Sequence, residues 1–530
     1  MTTDSNVTRD AWRDFLAAAH PALDTWHAAI ADPALTQAKR LRQLLDTNRD
    51  TAFGRAYGFA DIRDAAQYRE RVPLQTYADL LPWIERAQRE TEPVLSAQAP
   101  RFFERTSGNS ALQKLIPYTP AFLDEMQRAL VVWLADVYGQ VPEIAHGRAY
   151  WSMSPPLQAN GCAANGIPIG SASDLDYLGG SIVAGLAPTL IVPPFSDDTD
   201  AWRRQTLLAL IAADDLSFIS VWSPTFLSSL LRPLFEGNEA DHGATLAWLE
   251  SMLPAARKTA LRAALSEGTC EPLWPRLAAV SCWMDGPSRR YAAQLRTRFP
   301  HARWLPKGLF ATEAVVTLPF GSDDGCPLAI ESHFLEFVFD DGRVCDAADL
   351  RVGDVVQVVV TTAGGLYRYL LGDRVRVTGF AGRTPRVEFA GRAGAQCDLV
   401  GEKLDEATVT SVLADTFADI NDTLCLVPCI DSQTPHYVLL VAGGNTSSDT
   451  AALASIVDTA LQRAFHYAHA RRLGQLGPVR VRQLQGLPQR LAHAIQHAAE
   501  LTGIRAGDAK PRMLVSRLDT ASALLALTGD

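Results

Sequence analysis

Apolar residues change their spacing along this chain, and that change limits what it can fold into. Early on they recur at helical intervals: Trp12, Phe15 and Leu16, then Leu41 and Leu44, across residues 8–48. Phe122, Met126, Leu130 and Leu134 stand four apart across 120–138. A stretch at 62–92 is expected to be helical and to break at Val72-Pro73 and Leu81-Pro82. Two more helices are expected at 200–212 and 224–236. Short runs rich in β-branched and aromatic residues then take over, at 277–284, 334–339, 355–361 and 374–378. After them come a helix at 405–418, strands at 424–430 and 436–442, and a helix at 449–470. Such a chain reads as α/β, with helices packed on sheets. No repeat or low-complexity tract interrupts it, and a domain boundary is expected near 392–403.

The composition fits a folded body. The 530 residues are 47% apolar and 20% charged, which excludes a largely disordered chain. That length fits three or four small units or two larger domains. The 49 basic and 59 acidic residues leave a charge of −10, which argues against a nucleic-acid partner. It leaves room for a local anion pocket built from a few Arg and Lys. Eight Cys occur with no CxxC pair, so a zinc ribbon is not expected. The opening MTTDSNVTRDAWRDF lacks the features of a signal peptide. No apolar run approaches the roughly 18 residues of a membrane span. A reducing, cytoplasmic setting with free thiols and no membrane partner is expected.

Five segments carry residues suited to chemistry. In Thr106-Ser107-Gly108-Asn109-Ser110-Ala111-Leu112-Gln113-Lys114, hydroxyls, a Gly and a trailing Lys suit a loop that wraps phosphate. It is no P-loop, since GxxxxGK[ST] is absent, and alone it reads equally as a polar turn. In Gly308-Leu309-Phe310-Ala311-Thr312-Glu313, the acid could hold Mg²⁺ against a phosphate and Thr312 could donate to it. A helix start capped by Thr312 is the other reading. In Gly365-Leu366-Tyr367-Arg368-Tyr369-Leu370-Leu371-Gly372-Asp373, a carboxylate at a strand end could accept both ribose hydroxyls, or sit in a simple turn. The Gly- and charge-rich connector from Gly391 and Arg392 to Lys403 and Glu406 suits a hinge. Gly507-Asp508-Ala509-Lys510-Pro511-Arg512 places a Lys in a loop near the C-terminus. His493/His497 and His466/His469 have metal-pair spacing but no evident third ligand.

In this order, the five segments resemble the auxin-responsive promoter (Gretchen Hagen) family of acyl-acid amido synthetases. That family belongs with the adenylate-forming superfamily of acyl-CoA synthetases, adenylation domains and firefly luciferase. Its phosphate loop appears as TSGNSALQKLIPYT (106–119), its TEG element as ATEA, and its tyrosine-arginine-Gly-Asp element as YRYLLGD. TAFGRAYGF (51–59), VPLQTYADLLPWIER (72–86) and SHFLEF (332–337) are similar to family segments outside the site. The resemblance spans about residues 35–515. Asn109 replaces a hydroxyl residue, Ala111 stands where Gly is expected, and Ala314 follows Glu313 in place of Gly. If position 111 needs a positive φ, Ala costs roughly 1 kcal/mol there.

The resemblance implies the adenylate-forming fold, with a large N-terminal domain (1–395) of β-sheets packed with helices and a smaller mobile α/β cap (396–530). It implies MgATP, a small carboxylic acid and an amine such as an amino acid as partners. The acid is adenylated, and the acyl group then passes to the amine with release of AMP. Thr106, Ser107, Gly108, Asn109 and Ser110 would cradle the nucleotide, together with Thr312, Tyr367, Asp373, Arg392 and Lys403. Lys114, Glu313 and Lys510 would be catalytic, Glu313 also binding the metal. Met126, Trp222 and Phe226 would wall the acyl pocket. Two other classes share these features: a thioester-forming ligase, and a carboxylate-binding homologue weakened at Asn109 and Ala111. The acid, the amine and the oligomeric state are not written in these residues.

Overall fold

The computed structural model of the protein describes residues 5–106, 114–152, 161–170, 182–194, 196, 198–235, 239–286, 288–321, 324–392, 396–400, 402–417, 423–430, 434–443, 449–484, 488–502 and 511–529. Ser107, Gly108, Asn109, Ser110, Ala111 and Lys510 lie outside them. Two compact units emerge. One comprises Met1–Ala149, Gln158–Leu190 and Leu305–Phe389; the other comprises Tyr150–Leu157, Ile191–Trp304 and Ala390–Asp530.

In the first unit the helical run at 8–48 is two helices, Ser5–Ala31 and Pro33–Asn48. Asp32 ends one and starts the other: its carboxylate accepts from the Leu35 N–H at 3.1 Å, and Pro33 supplies the preset φ of a first turn. Val72-Pro73 stops the Ala65–Arg71 helix as expected. Leu81-Pro82 does not break the next one, which runs Tyr77–Ala87 through Pro82. Its start is fixed by the Asp79 carboxylate, which accepts from the Thr76 N–H at 2.8 Å, and Leu80 and Ile84 are fully buried. This anchoring outweighs the single backbone bond that Pro82 removes.

A six-stranded sheet dominates this unit, in the order Val344–Asp346, Phe334–Val338, Val355–Thr361, Tyr369–Ala381, Thr384–Arg392, Cys326–Pro327. Val355–Thr361 pairs antiparallel with both neighbours. Against Tyr369–Ala381 its register shifts: Gln357 faces Arg374 while Val359 faces Leu370. Leu371, Gly372 and Asp373 therefore bulge opposite Val358 alone, and Gly372 takes a φ of 87°. Bulges re-aim side chains next to sites. Asp373 accordingly sits inside a long strand, fully buried, and not at a strand end. A smaller sheet carries the hairpin of Phe102–Arg105 and Leu115–Tyr118, and the Pro120–Gln140 helix follows directly.

The second unit holds a four-stranded sheet, Arg148–Trp151, Leu216–Ser220, Ala279–Cys282 and Arg303–Pro306. Its core draws only on residues between Tyr150 and Trp304. From Cys397 onward, separate cores form around the antiparallel pair Thr423–Cys429 and His436–Ala442. Among the described residues, no helix is long and apolar enough to cross a membrane.

Candidate active site

The hairpin places the first two site residues. Its ladder pairs Arg105 with Leu115 and continues as the Thr106 N–H donates to the Lys114 carbonyl at 3.0 Å. Thr106 and Lys114 thus face each other where the 107–113 loop begins and ends. The Thr106 hydroxyl is buried with no hydrogen-bond partner among the described residues. A buried donor left that way costs about 1–3 kcal/mol, so the position suits an arriving acceptor such as a phosphate oxygen. The Lys114 ammonium lies 3.0 Å from the Tyr369 hydroxyl, over the rings of Tyr77 and Tyr369 at 5.6 and 5.7 Å. Two ring faces attract the cation and limit its rotamers. Tyr77 is itself held, since its hydroxyl accepts from the Leu115 N–H at 2.7 Å.

Thr312 and Glu313 occupy a tight turn and not a helix start. Phe310 pairs with Val315, and Ala311 and Ala314 exchange backbone bonds of 2.9 and 3.2 Å around the two residues. The Tyr118 hydroxyl donates to the Thr312 carbonyl at 2.8 Å. Glu313 is half-buried, and its charge acts on both Tyr77 and Tyr118. Burial, first, and then the charges of Glu85 and Glu313 push the Tyr77 hydroxyl up, with the Leu115 bond opposing. The turn and Lys114 therefore share one neighbour, Tyr77. An ammonium, a buried hydroxyl, a threonine and a carboxylate are groups that could hold a polyphosphate and its divalent cation.

The YRYLLGD segment divides its residues between tasks. Arg368 is left-handed at φ 47°, an uncommon state for a non-Gly residue. Its guanidinium holds it there, donating to Glu336 at 3.0 Å and to the Val72 carbonyl at 2.7 Å. Tyr369 on one side reaches Lys114. Tyr367 on the other is fully buried, stacks on Phe53 at 4.6 Å and donates to the Leu95 carbonyl at 2.6 Å. Tyr367 is thus a core residue with its hydroxyl occupied, and it is Tyr369 that the fold delivers to Lys114.

The remaining sequence candidates are scattered. Met126 is half-buried on the Pro120–Gln140 helix of the first unit. Trp222 and Phe226 belong to the second unit. Phe226 is 1% exposed in its apolar core beside Trp202, so it is packing and not a pocket wall. Trp222 is half-buried, 6.1 Å from Trp283. Arg392 ends the Thr384–Arg392 strand. Lys403 is exposed and left-handed at φ 45°, after Glu402, whose carboxylate accepts from the Leu399 and Val400 N–H groups at 2.8 Å each. Tyr77, Tyr118 and Tyr369 escaped the sequence reading. All three lie inside quoted motifs, but no spacing rule links Tyr77 and Tyr369 to Lys114 or Tyr118 to Thr312.

This fold is that of the adenylate-forming ligases. Residues 22–240 match the GH3 family N-terminal domain, 326–392 the GH3 family central domain and 402–517 the GH3 family C-terminal domain. The chain belongs to the GH3 family and is an AMP-forming ligase. It is similar to the probable indole-3-acetic acid-amido synthetase GH3.7 of Oryza sativa subsp. japonica, 25% identical over 533 positions covering 83% of each chain. It is similar also to the probable indole-3-acetic acid-amido synthetase GH3.12 of the same organism, 26% identical over 68% of this chain and 69% of that one. Among solved structures, the GH3.15 acyl acid amido synthetase in complex with 2,4-DB superposes with a TM-score of 0.78 at 16% identity, covering 97% of both chains. A 2-hydroxyisobutyryl-CoA ligase in its postadenylation state shares the fold more distantly, with a TM-score of 0.53 at 13% identity over 92% of this chain and 90% of that one.

Proposed function

We propose that this protein is an ATP-dependent acyl-acid amido synthetase whose nucleotide site is centred on Thr106, Lys114, Thr312, Glu313 and Asp373. The observation that carries the reading is the buried, partnerless Thr106 hydroxyl opposite a Lys114 ammonium already oriented by two tyrosines. In the first half-reaction a carboxylate oxygen attacks the α-phosphorus, the bond to the β-phosphate bridging oxygen breaks, and pyrophosphate leaves. In the second, an amine attacks the acyl carbon, the carbon–oxygen bond to AMP breaks, and the amine loses a proton. A carboxylate is a poor electrophile until its oxygen becomes part of this leaving group. Lys114 and the Thr106 and Thr312 hydroxyls orient the phosphates and offset their charge, and Ser107 and Ser110 join them. Glu313 would hold Mg²⁺, which would supply neutralisation of the phosphate charge. Asp373 accepts from the ribose hydroxyls.

The acid is an aryl or arylalkyl carboxylic acid, as the names of the relatives suggest, and the acceptor is an amine such as an amino acid. Met126 contacts the acid. The chain from 396 onward forms a cap that turns about Arg392–Lys403 between the half-reactions, bringing Lys510 to the α-phosphate in the first. Its separate cores around Thr423–Ala442 support a cap with an interior of its own, within one compact unit with Ile191–Trp304. No disulfide joins any of the eight Cys, and the five buried thiols suit the reducing cytoplasm. The test is carboxylate-dependent ATP–pyrophosphate exchange over a panel of acids, indole-3-acetic acid among them, followed by discharge of the acyl-AMP with amino acids or with CoA. Amide formation is the expected outcome. Thioester formation alone would replace the reading with a CoA ligase, and no exchange with any acid would leave a binding protein.

A further inference from the structure

SHFLEF has no place in the chemistry above, yet it holds two buried polar side chains, Glu336 in the Phe334–Val338 strand and His333 just before it. Glu336 braces Arg368, as described. His333 is fully buried, stacked on Phe122 at 5.6 Å. Its Nε2 lies 3.0 Å from the Val315 N–H and its Nδ1 lies 2.9 Å from Glu125 Oε2. A backbone N–H can only donate, so Nε2 is the acceptor and the ring hydrogen sits on Nδ1, facing the carboxylate. Glu125, also fully buried, is fixed in turn by Arg40 and by the Ala363 N–H at 2.9 Å. Burial alone would raise the Glu125 carboxyl, but His333, Arg40 and the Ala363 amide hold it below its usual value.

Val315 closes the turn that presents Thr312 and Glu313. Neither of those two residues has a positive φ, so the turn is not one of the primed types that match the twist of paired strands. A two-residue connection of any other type tends to splay its flanks and needs support from outside. The Tyr118 hydroxyl on the Thr312 carbonyl and His333 on the Val315 N–H are the two side-chain supports seen. Stability alone does not account for a buried carboxylate and imidazole here, because apolar side chains of equal volume fill such a space as well or better.

We propose that His333, oriented by Glu125, is a positioning residue that sets the Ala311–Ala314 turn and thereby aims the Glu313 carboxylate at the metal; this rests on the reading of Glu313 as a Mg²⁺ ligand. His333→Asn keeps a donor for Glu125 and removes the acceptor for Val315. His333→Gln retains an acceptor near the Nε2 position. Hydrogen exchange of the peptide spanning 310–316 should quicken on the order of tenfold in His333→Asn and return toward wild type in His333→Gln. By calorimetry, the gain in ATP affinity on adding Mg²⁺ should shrink on the order of tenfold in His333→Asn, while ATP binding in EDTA stays as in wild type. Glu313→Gln should lose the same gain with exchange at 310–316 unchanged. Should His333→Asn not fold, His333→Phe, which keeps the stack on Phe122, takes its place. Wild-type exchange, or a wild-type Mg²⁺ gain in a His333 variant when Glu313→Gln has lost it, overturns the positioning role. A full Mg²⁺ gain in Glu313→Gln instead overturns the metal reading of Glu313.

Discussion

Tyr367 and Tyr369 stand two residues apart in one motif, and removing each hydroxyl should have opposite consequences. Tyr367→Phe leaves the Leu95 carbonyl buried without its 2.6 Å donor. The loss is about 1–3 kcal/mol of stability, with the aromatic stack on Phe53 intact. Nothing that faces Lys114 changes, so ATP dependence should match wild type. Tyr369→Phe removes the oxygen 3.0 Å from the Lys114 ammonium but keeps the ring beside it. A hydrogen bond to a charged group contributes about 1.5–3 kcal/mol. Lys114 is only half-buried, so water replaces part of that bond and the low end applies. About 1.4 kcal/mol corresponds to a tenfold loss in kcat/KM for ATP. The assays are urea unfolding and pyrophosphate exchange with ATP varied, run on both variants. The assignment fails if Tyr367→Phe changes ATP dependence while Tyr369→Phe does not.

Asp373→Asn keeps the shape at the bulge and removes the charge, so the KM for ATP should rise beyond about tenfold, at about 1.5–3 kcal/mol per charged bond; an unchanged KM removes the ribose assignment. The Glu125 carboxyl titrates below its unfolded value. Its stabilisation is therefore full above about pH 4.3 and is lost as pH falls through the folded value. The gap in unfolding midpoint between wild type and Glu125→Gln should narrow below about pH 4, and parallel curves down to pH 3 would refute this. Lys510→Ala should slow adenylation by on the order of 10² and spare amide formation from supplied acyl-AMP. Equal slowing of both half-reactions, or of neither, removes Lys510 from that role.

The sequence by itself determined the class. Apolar spacing set helices and strands, because burying one face of an element requires a period of about 3.6 or 2 whatever the rest of the chain does. Five ordered motifs set the family, because each supplies a group that phosphate chemistry needs. Local signals also fixed caps such as Asp32 and the break at Pro73, where the deciding atoms lie within four residues. Pro82 shows the limit: its cost is local, but the capping by Asp79 and the burial of Leu80 and Ile84 that outweigh it depend on what packs there. Only the tertiary structure decided which tyrosine of YRYLLGD meets Lys114, since the choice turns on the left-handed Arg368, held by Glu336 and by the Val72 carbonyl. Only it moved Phe226 from a pocket wall to the core, because one apolar residue on a helix serves either use. Only it joined His333 to Val315 and Glu125, for a hydrogen bond between residues 208 positions apart leaves no mark in local spacing.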